Sequence, residues 1–309
     1  MEKLITVLQV TVPIFFAVFL GITARTRKVL SGVEVQGMQR FIVKFCIPCL
    51  VFRSCLTADI TAQALSSMVL LPPLLLISAL WAFHARKKQF PYFNFPHLFS
   101  CKETGMMGIP LFVFLFGVDQ AYRVGVLDLA QALIGYPVLA ILSTDAQEEA
   151  SPKAVVKQMI TSPLIVLSIL GVVLNLTGIW DMVEQVGIGG IVIESISFLS
   201  QPVSAVMLFC VGYNFTLSGE SRRIVFRVTA LHVAVFSVIG LLLQGVLFLV
   251  PGVDALTRWA ALLYCILPAS YLAPGLGRRE EDAVMASGVC SITTVVTLLA
   301  FCIMAAVVA

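Results

Sequence analysis

Charge is scarce in this chain. Asp, Glu, Lys and Arg make up 12% of its 309 residues, against about 25% in soluble domains. Histidine is scarcer still, with 3 residues, and no spacing of His, Cys, Asp or Glu reads as a metal site. There is no P-loop, no Gly-rich nucleotide motif and no nucleophile elbow. Direct ATP drive, a cofactor and enzyme chemistry are therefore not expected. The net charge is only +3 and is spread over loops, which leaves no basic face for nucleic acid. What is abundant is apolar: 59% of residues are hydrophobic and mean hydropathy is +1.00. A chain with so little polar surface cannot cover itself in water, so its solvent is lipid.

The 8 cysteines do not form a disulfide framework. Seven lie in or at the ends of apolar runs, and Cys101 lies beside a polar break. The Cys46-x-x-Cys49 pair encloses Pro48 in a hydrophobic segment and has no second pair. These cysteines read as small apolar packing residues. The first apolar run, Leu4–Ala24, is long for a signal sequence and is followed by basic residues rather than a cleavage site, so it reads as a first span.

A spanning helix needs about 20 apolar residues. Candidate spans fall at Leu4–Ala24, Phe41–Leu56, Ala64–Phe83, Phe95–Phe116 and Val124–Leu142, then at Ile160–Gly178, Ile191–Gly212, Val225–Val250, Trp259–Leu276 and Ala283–Val308. A polar stretch with Asp145, Glu148, Glu149 and Pro152 separates the two sets. The expected organisation is a first unit at 1–143, a linker at 144–157 and a second unit at 158–309. Every odd-numbered run is followed by a basic loop: Arg25, Arg27 and Lys28; Arg86, Lys87 and Lys88; Lys153 and Lys157; Arg222, Arg223 and Arg227; Arg278 and Arg279. The other side carries only Lys3, Arg53, Arg123 and Arg258. By the positive-inside rule the basic loops face the cytoplasm and both termini face outward. Five spans per unit is an odd number, so homologous halves would be inverted in the membrane, a plan common among secondary transporters.

Interruptions mark corresponding places in the two halves. Pro48 and Pro202 lie near the middle of runs two and seven. Run four holds Lys102, Glu103, Thr104, Gly105, Gly108 and Pro110; run nine holds Pro268, Ala269, Ser270 and Pro274. Proline removes a backbone donor and clashes with the preceding turn. Broken backbone at membrane depth survives only where protein or a watery cavity covers it. Two broken helices that cross would bring half-helix N-termini, with free N–H groups, to one place, which suits an anion. Lys102 and Glu103 are costly at membrane depth and so are candidate substrate or proton-coupling groups. On a regular helix they would point about 100° apart. Asp128 and Gln131 are three apart, share a helix face and follow the break closely enough to line the same cavity. His232 reads as a hydrogen-bonded packing residue. Asn175, in an Asn-Leu-Thr sequence, reads as too close to the membrane for glycosylation.

These residues resemble a known family. VPIFFAVFLGITARTRKVLS, VQGMQRFIVKFCIPCLVFRSCL and ETGMMGIPLFVFLFG in the first half, with ILPASYLAP and DAVMASGVCSITTVVTLL in the second, resemble the auxin efflux carrier family. That family sits in the bile/arsenite/riboflavin transporter superfamily and includes plant auxin carriers and bacterial permeases of the malate and malonate type. The short linker is similar to the bacterial members. The resemblance implies an all-α polytopic protein with ten spans in an inverted five-plus-five repeat. It also implies a scaffold of helices 1, 2, 6 and 7, a transport domain of helices 3–5 and 8–10, substrate at the crossing of helices 4 and 9, elevator movement and a homodimer. The sequence departs from the family pattern at Glu103, where Asn is frequent, at Lys102, where Pro or Ser is frequent, and at Gln131, where Asn is frequent. The expected function is a carrier of a small organic anion, coupled to H+, Na+ or the membrane potential, in the bacterial inner membrane. The alternative is a ligand-binding membrane sensor on a transporter fold.

Overall fold

The computed structural model describes residues 2–58, 66–89, 95–144, 157, 161–215, 222–271, 273 and 280–308. The linker expected at 144–157 and Pro274 lie almost wholly or wholly outside them. The chain is helical: α1 Glu2–Thr26, α2 Gly32–Phe41, α3 Ile47–Leu56, α4 Ser66–Gln89, α5 Phe95–Leu98, α6 Ile109–Phe116, α7 Ala121–Thr144, α8 Pro163–Leu176, α9 Ile179–Gln185, α10 Gly189–Ser200, α11 Val203–Asn214, α12 Arg222–Leu249, α13 Ala255–Ile266 and α14 Glu280–Val308.

Five of the helical stretches are long and apolar enough to cross a membrane: Gly32–Leu56, Ser66–Arg86, Gly189–Asn214, Arg223–Leu249 and Glu281–Val308. The bent pair α8 and α9, at 74°, makes a sixth if it is one span. Thr11–Thr26, Thr104–Phe116 and Ala255–Ile266 are shorter apolar helices. Large apolar side chains face outward along these elements, among them Phe16, Phe19, Phe198, Leu241, Phe248 and Ile303. No soluble monomer exposes apolar surface on this scale. The chain is an integral membrane protein.

Prolines set the local geometry. In the second span a five-residue π turn, Ile42–Cys46, precedes Ile47-Pro48, so Pro48 enters α3 at its start rather than inside a regular helix. The fourth run repeats the device, with a π turn at Thr104–Gly108 followed by Ile109-Pro110. The widened turn absorbs the donor that proline lacks. Pro202 breaks its span differently, as the N-cap of α11 after a turn at Gln201. At the start of α2, Ser31 and Glu34 form a capping box.

The helices pack in pairs that reach across the sequence: α1 on α11, α3 on α8, α4 on α7, and α12 on α13 and α14. Two glycines let α1 and α11 meet backbone to backbone. A Cβ on Gly21 would overlap the Phe209 carbonyl, and one on Gly212 would overlap the Val18 carbonyl. Asn175 ties α8 to the end of α3: its side-chain amide reaches the carbonyls of Cys55 (3.1 Å), Leu56 (2.7 Å) and Ala58 (3.0 Å). The asparagine of the Asn-Leu-Thr sequence is thus a cap for another helix. Because the atoms opposite Gly21 and Gly212 are backbone, Gly21→Ala or Gly212→Ala forces the helices apart. Each should cost about 1–3 kcal/mol or more through overpacking, seen as a lower thermal midpoint of the purified protein, whereas Gly37→Ala, with open space around it, should leave the midpoint in place.

Candidate functional site

The fourth and ninth runs both open where the sequence predicts, and they cross there. After α5 the chain leaves helical geometry at Cys101–Glu103, where Glu103 (φ −85°, ψ 74°) is the centre of a tight turn closed by Thr104 N donating to Lys102 O at 3.1 Å; after α13 it leaves it again at Leu267–Ser270. Lys102 and Ala269 form an antiparallel bridge, with Glu103 N donating to Pro268 O at 3.1 Å. Freed backbone groups at the crossing find partners. Gln131, on α7, brackets Lys102: its Oε1 accepts from Lys102 N at 2.9 Å and its Nε2 lies 3.2 Å from Lys102 O. Tyr264 OH donates to the same Oε1 at 2.9 Å. Thr297 Oγ1 donates to Ile266 O at 2.6 Å, and Thr293 Oγ1 accepts from Ala269 N at 3.3 Å. Gly108 has a steric task, since a Cβ there would lie 2.7 Å from Leu267 Cδ1.

With the helix broken and the chain turning at Glu103, Lys102 and Glu103 do not take the roughly 100° spacing of a helix and reach different surroundings. The Lys102 ammonium turns toward α12 and the end of α13. It lies 2.8 Å from His232 Nε2 and donates to Leu267 O at 2.5 Å. The Glu103 carboxylate turns the other way. It caps the π turn, accepting from Met106 N at 3.3 Å, and accepts from Tyr271 N at 2.8 Å. Two N–H groups at the breaks, Met106 N and Tyr271 N, are therefore taken by the protein's own carboxylate rather than left free for a bound anion. Asp128 stands beside it: its Oδ1 accepts from Thr104 Oγ1 and, at 2.8 Å, from Gln131 Nε2.

A cavity of about 1110 Å³ opens at the crossing. Lys102, Glu103, Thr104, Gly105, Asp128, Gln131 and Ser270 border it. Pro268 and Ala269 lie behind, in the bridge itself. Gly105 meets no steric demand. The cavity extends to Arg25 and Phe215, at the ends of α1 and α11, and to Lys44 in the first π turn. Away from the cavity, two arginines that the sequence reading counted only as charges are paired. Arg53 pairs with Asp119 at 3.1 Å and donates to Ser197 at 2.9 Å. Ser54 donates to Asp119 O and accepts from Tyr122 N, both at 2.8 Å. Arg123, 9% exposed as a side chain, pairs with Asp254 at 2.7 Å. Sequence reasoning also passed over Tyr264, Tyr271 and Phe236. His232 and Phe236, four apart on an otherwise apolar helix, were the legible signal for the last.

A polar, carboxylate-bearing cavity beneath two crossing, broken helices in an integral membrane protein is the build of a membrane carrier. The match to known proteins gives the family: the model described as "Membrane transport protein" covers residues 6–304, and the chain belongs to this family, that of the auxin efflux carriers. It is 25% identical over 211 residues to an "Uncharacterized transporter" of Methanothermobacter thermautotrophicus. The match spans 66% of each chain, just under two thirds of that relative's length. The family is one of membrane transport proteins.

Gln131 supports both the broken backbone and Asp128. Gln131→Leu should leave the Lys102 amide and the Tyr264 hydroxyl unpaired, at about 1–3 kcal/mol per buried group, while the Lys102 carbonyl keeps its bond from Thr104 N. The expected result is a clear drop in thermal midpoint, with Gln131→Asn recovering part of it; an unchanged midpoint for Gln131→Leu contradicts the bracketing role.

Proposed function

We propose that this transporter moves a small organic carboxylate together with a proton, by alternating access, from a site at the crossing of the fourth and ninth spans. The observation that carries the reading is the arrangement of Glu103 and Asp128 on the cavity side of two broken helices, with the Lys102 ammonium turned away. A carboxylate entering past Arg25 and Lys44 meets attractive charge at the mouth and two carboxyl groups at the floor. It can settle there only if those groups carry protons, which would then travel or be released with it. Glu103 and Asp128 are the coupling groups in this reading, and Thr104, Gly105, Gln131 and Ser270 the neutral contacts.

In the same proposal the chain has ten spans as an inverted five-plus-five repeat, with units at 1–143 and 158–309 joined by a linker at 144–157. The pairing of helices supports it. Run one against seven and run six against two exchange under a two-fold operation, as do run three against five and run eight against ten. The first two pairings supply a scaffold, and runs 3–5 and 8–10 a transport domain that slides as an elevator. With basic loops in the cytoplasm, the cavity opens inward and both termini lie outside a bacterial inner membrane. A homodimer built on the scaffold completes the proposal.

Uptake and counterflow in proteoliposomes, over a panel of mono- and dicarboxylates, test it. Saturable flux accelerated by an inward proton gradient is expected. Glu103→Gln should lower flux by about tenfold or more and flatten its dependence on the gradient, the factor corresponding to about 1.4 kcal/mol. Binding without flux would favour a sensor. Flux, affinity and gradient response all untouched by Glu103→Gln would remove Glu103 from the site.

A further inference from the structure

Lys102 is 3% exposed, and its ammonium meets three electron-rich groups. Leu267 O lies at 2.5 Å, His232 Nε2 at 2.8 Å, and the centroid of the Phe236 ring at 3.7 Å. The tautomer of His232 follows from its other contact. Nδ1 lies 2.9 Å from Leu98 O, and a carbonyl can only accept, so Nδ1 carries the ring hydrogen and Nε2 offers a lone pair. Three N–H bonds thus face a carbonyl, a lone pair and an aromatic face. Shifting the proton to His232 would still leave one positive charge in the cage. Among the described residues, the ion pairs Arg53–Asp119 and Arg123–Asp254 lie elsewhere, and no carboxylate is within ion-pair distance of Lys102.

The charge has a reason that needs no carboxylate partner. Leu267 follows the last residue of α13, where unpaired carbonyls carry about half a negative charge. The ring face adds negative potential. Glu103 and Asp128 lie on the other side of the same broken segment. Strip away the lysine side chain and a carbonyl oxygen, an imidazole lone pair and an aromatic face are left in a low-dielectric setting without the positive charge they surround, with two carboxyl groups across the segment, an arrangement that would draw a cation from solution.

We infer that Lys102 is a resident, covalently tethered cation that fills the place an exchangeable metal cation would otherwise have to fill. The crossing is therefore electrostatically complete without sodium or potassium, and the cycle draws nothing from a sodium gradient. This deepens the proposed function by assigning its coupling, and rests on that reading only where flux is measured.

The experiment compares purified wild type, Lys102→Met and Lys102→Ala in sodium, potassium and choline chloride at equal ionic strength, reading thermal midpoint and carboxylate flux. A ligand bound only by the folded state raises the midpoint. Wild type should show the same midpoint and flux in all three salts. Lys102→Met, which keeps length and loses charge, should lower the midpoint and cut flux by about tenfold or more, a factor worth about 1.4 kcal/mol. Lys102→Ala should regain midpoint with n-propylammonium, which replaces the deleted chain, and not with tetramethylammonium; wild type should respond to neither. A wild type stabilised or driven by sodium or potassium overturns the inference, as does Lys102→Met with wild-type midpoint and flux. Should neither variant be recoverable, the wild-type salt comparison still decides. If no carboxylate moves in any salt, the proposed function falls, and the midpoint measurements judge the tethered cation separately.

Discussion

Backbone N–H and C=O groups released by a break in a membrane helix have no water to turn to, and leaving one unpaired costs several kcal/mol. This constraint organises the middle of the protein. The two broken runs partly satisfy each other through the Lys102–Ala269 bridge and the bond from Glu103 N to Pro268 O. The remaining demand falls on side chains from two other helices, Gln131 from α7 and Thr293 and Thr297 from α14, and on the Lys102 ammonium, which donates to Leu267 O. The cavity exists because this set of partners holds open a place where neither chain is a helix.

Charge at the crossing is sorted by backbone conformation. The broken helix and the tight turn at Glu103 separate an ammonium and a carboxylate that are neighbours in sequence, one toward the α12–α13 side and one toward the cavity. The two groups are used unequally. The positive group is saturated by protein, while Glu103 and Asp128 stay at the cavity wall. In the proposed cycle a substrate would meet an acidic floor behind a basic entrance, which is why proton coupling is a more economical reading than simple capture of an anion by free helix ends.

Much of this was legible in residue order. Apolar runs gave the helices, and the Pro and Gly clusters in runs two, four, seven and nine marked where they would open. Asp128 and Gln131 could be placed against the break because they share a face of the next helix. The rest depended on distance in space. Nothing in the sequence tells which way Lys102 turns once its helix is broken, or that His232 lies 130 positions away beside its ammonium. The capture of Met106 N and Tyr271 N by Glu103 turns round the electrostatic argument that helix ends alone suggested. Arg53 and Arg123 read as topological markers, and only folding reveals that they pair with Asp119 and Asp254.

The tight turn at Lys102–Thr104 also has an evolutionary corollary. Thr104 N closes it onto Lys102 O, and the residue at its centre is the one whose carboxylate borders the cavity. An inserted or deleted position would open that closure and put another side chain at its centre, so the two charges could no longer be held apart as they are. Point changes here alter one contact at a time, but a shift in frame of one residue disturbs both charges at once. Length, more than identity, is what this stretch of chain is least free to change.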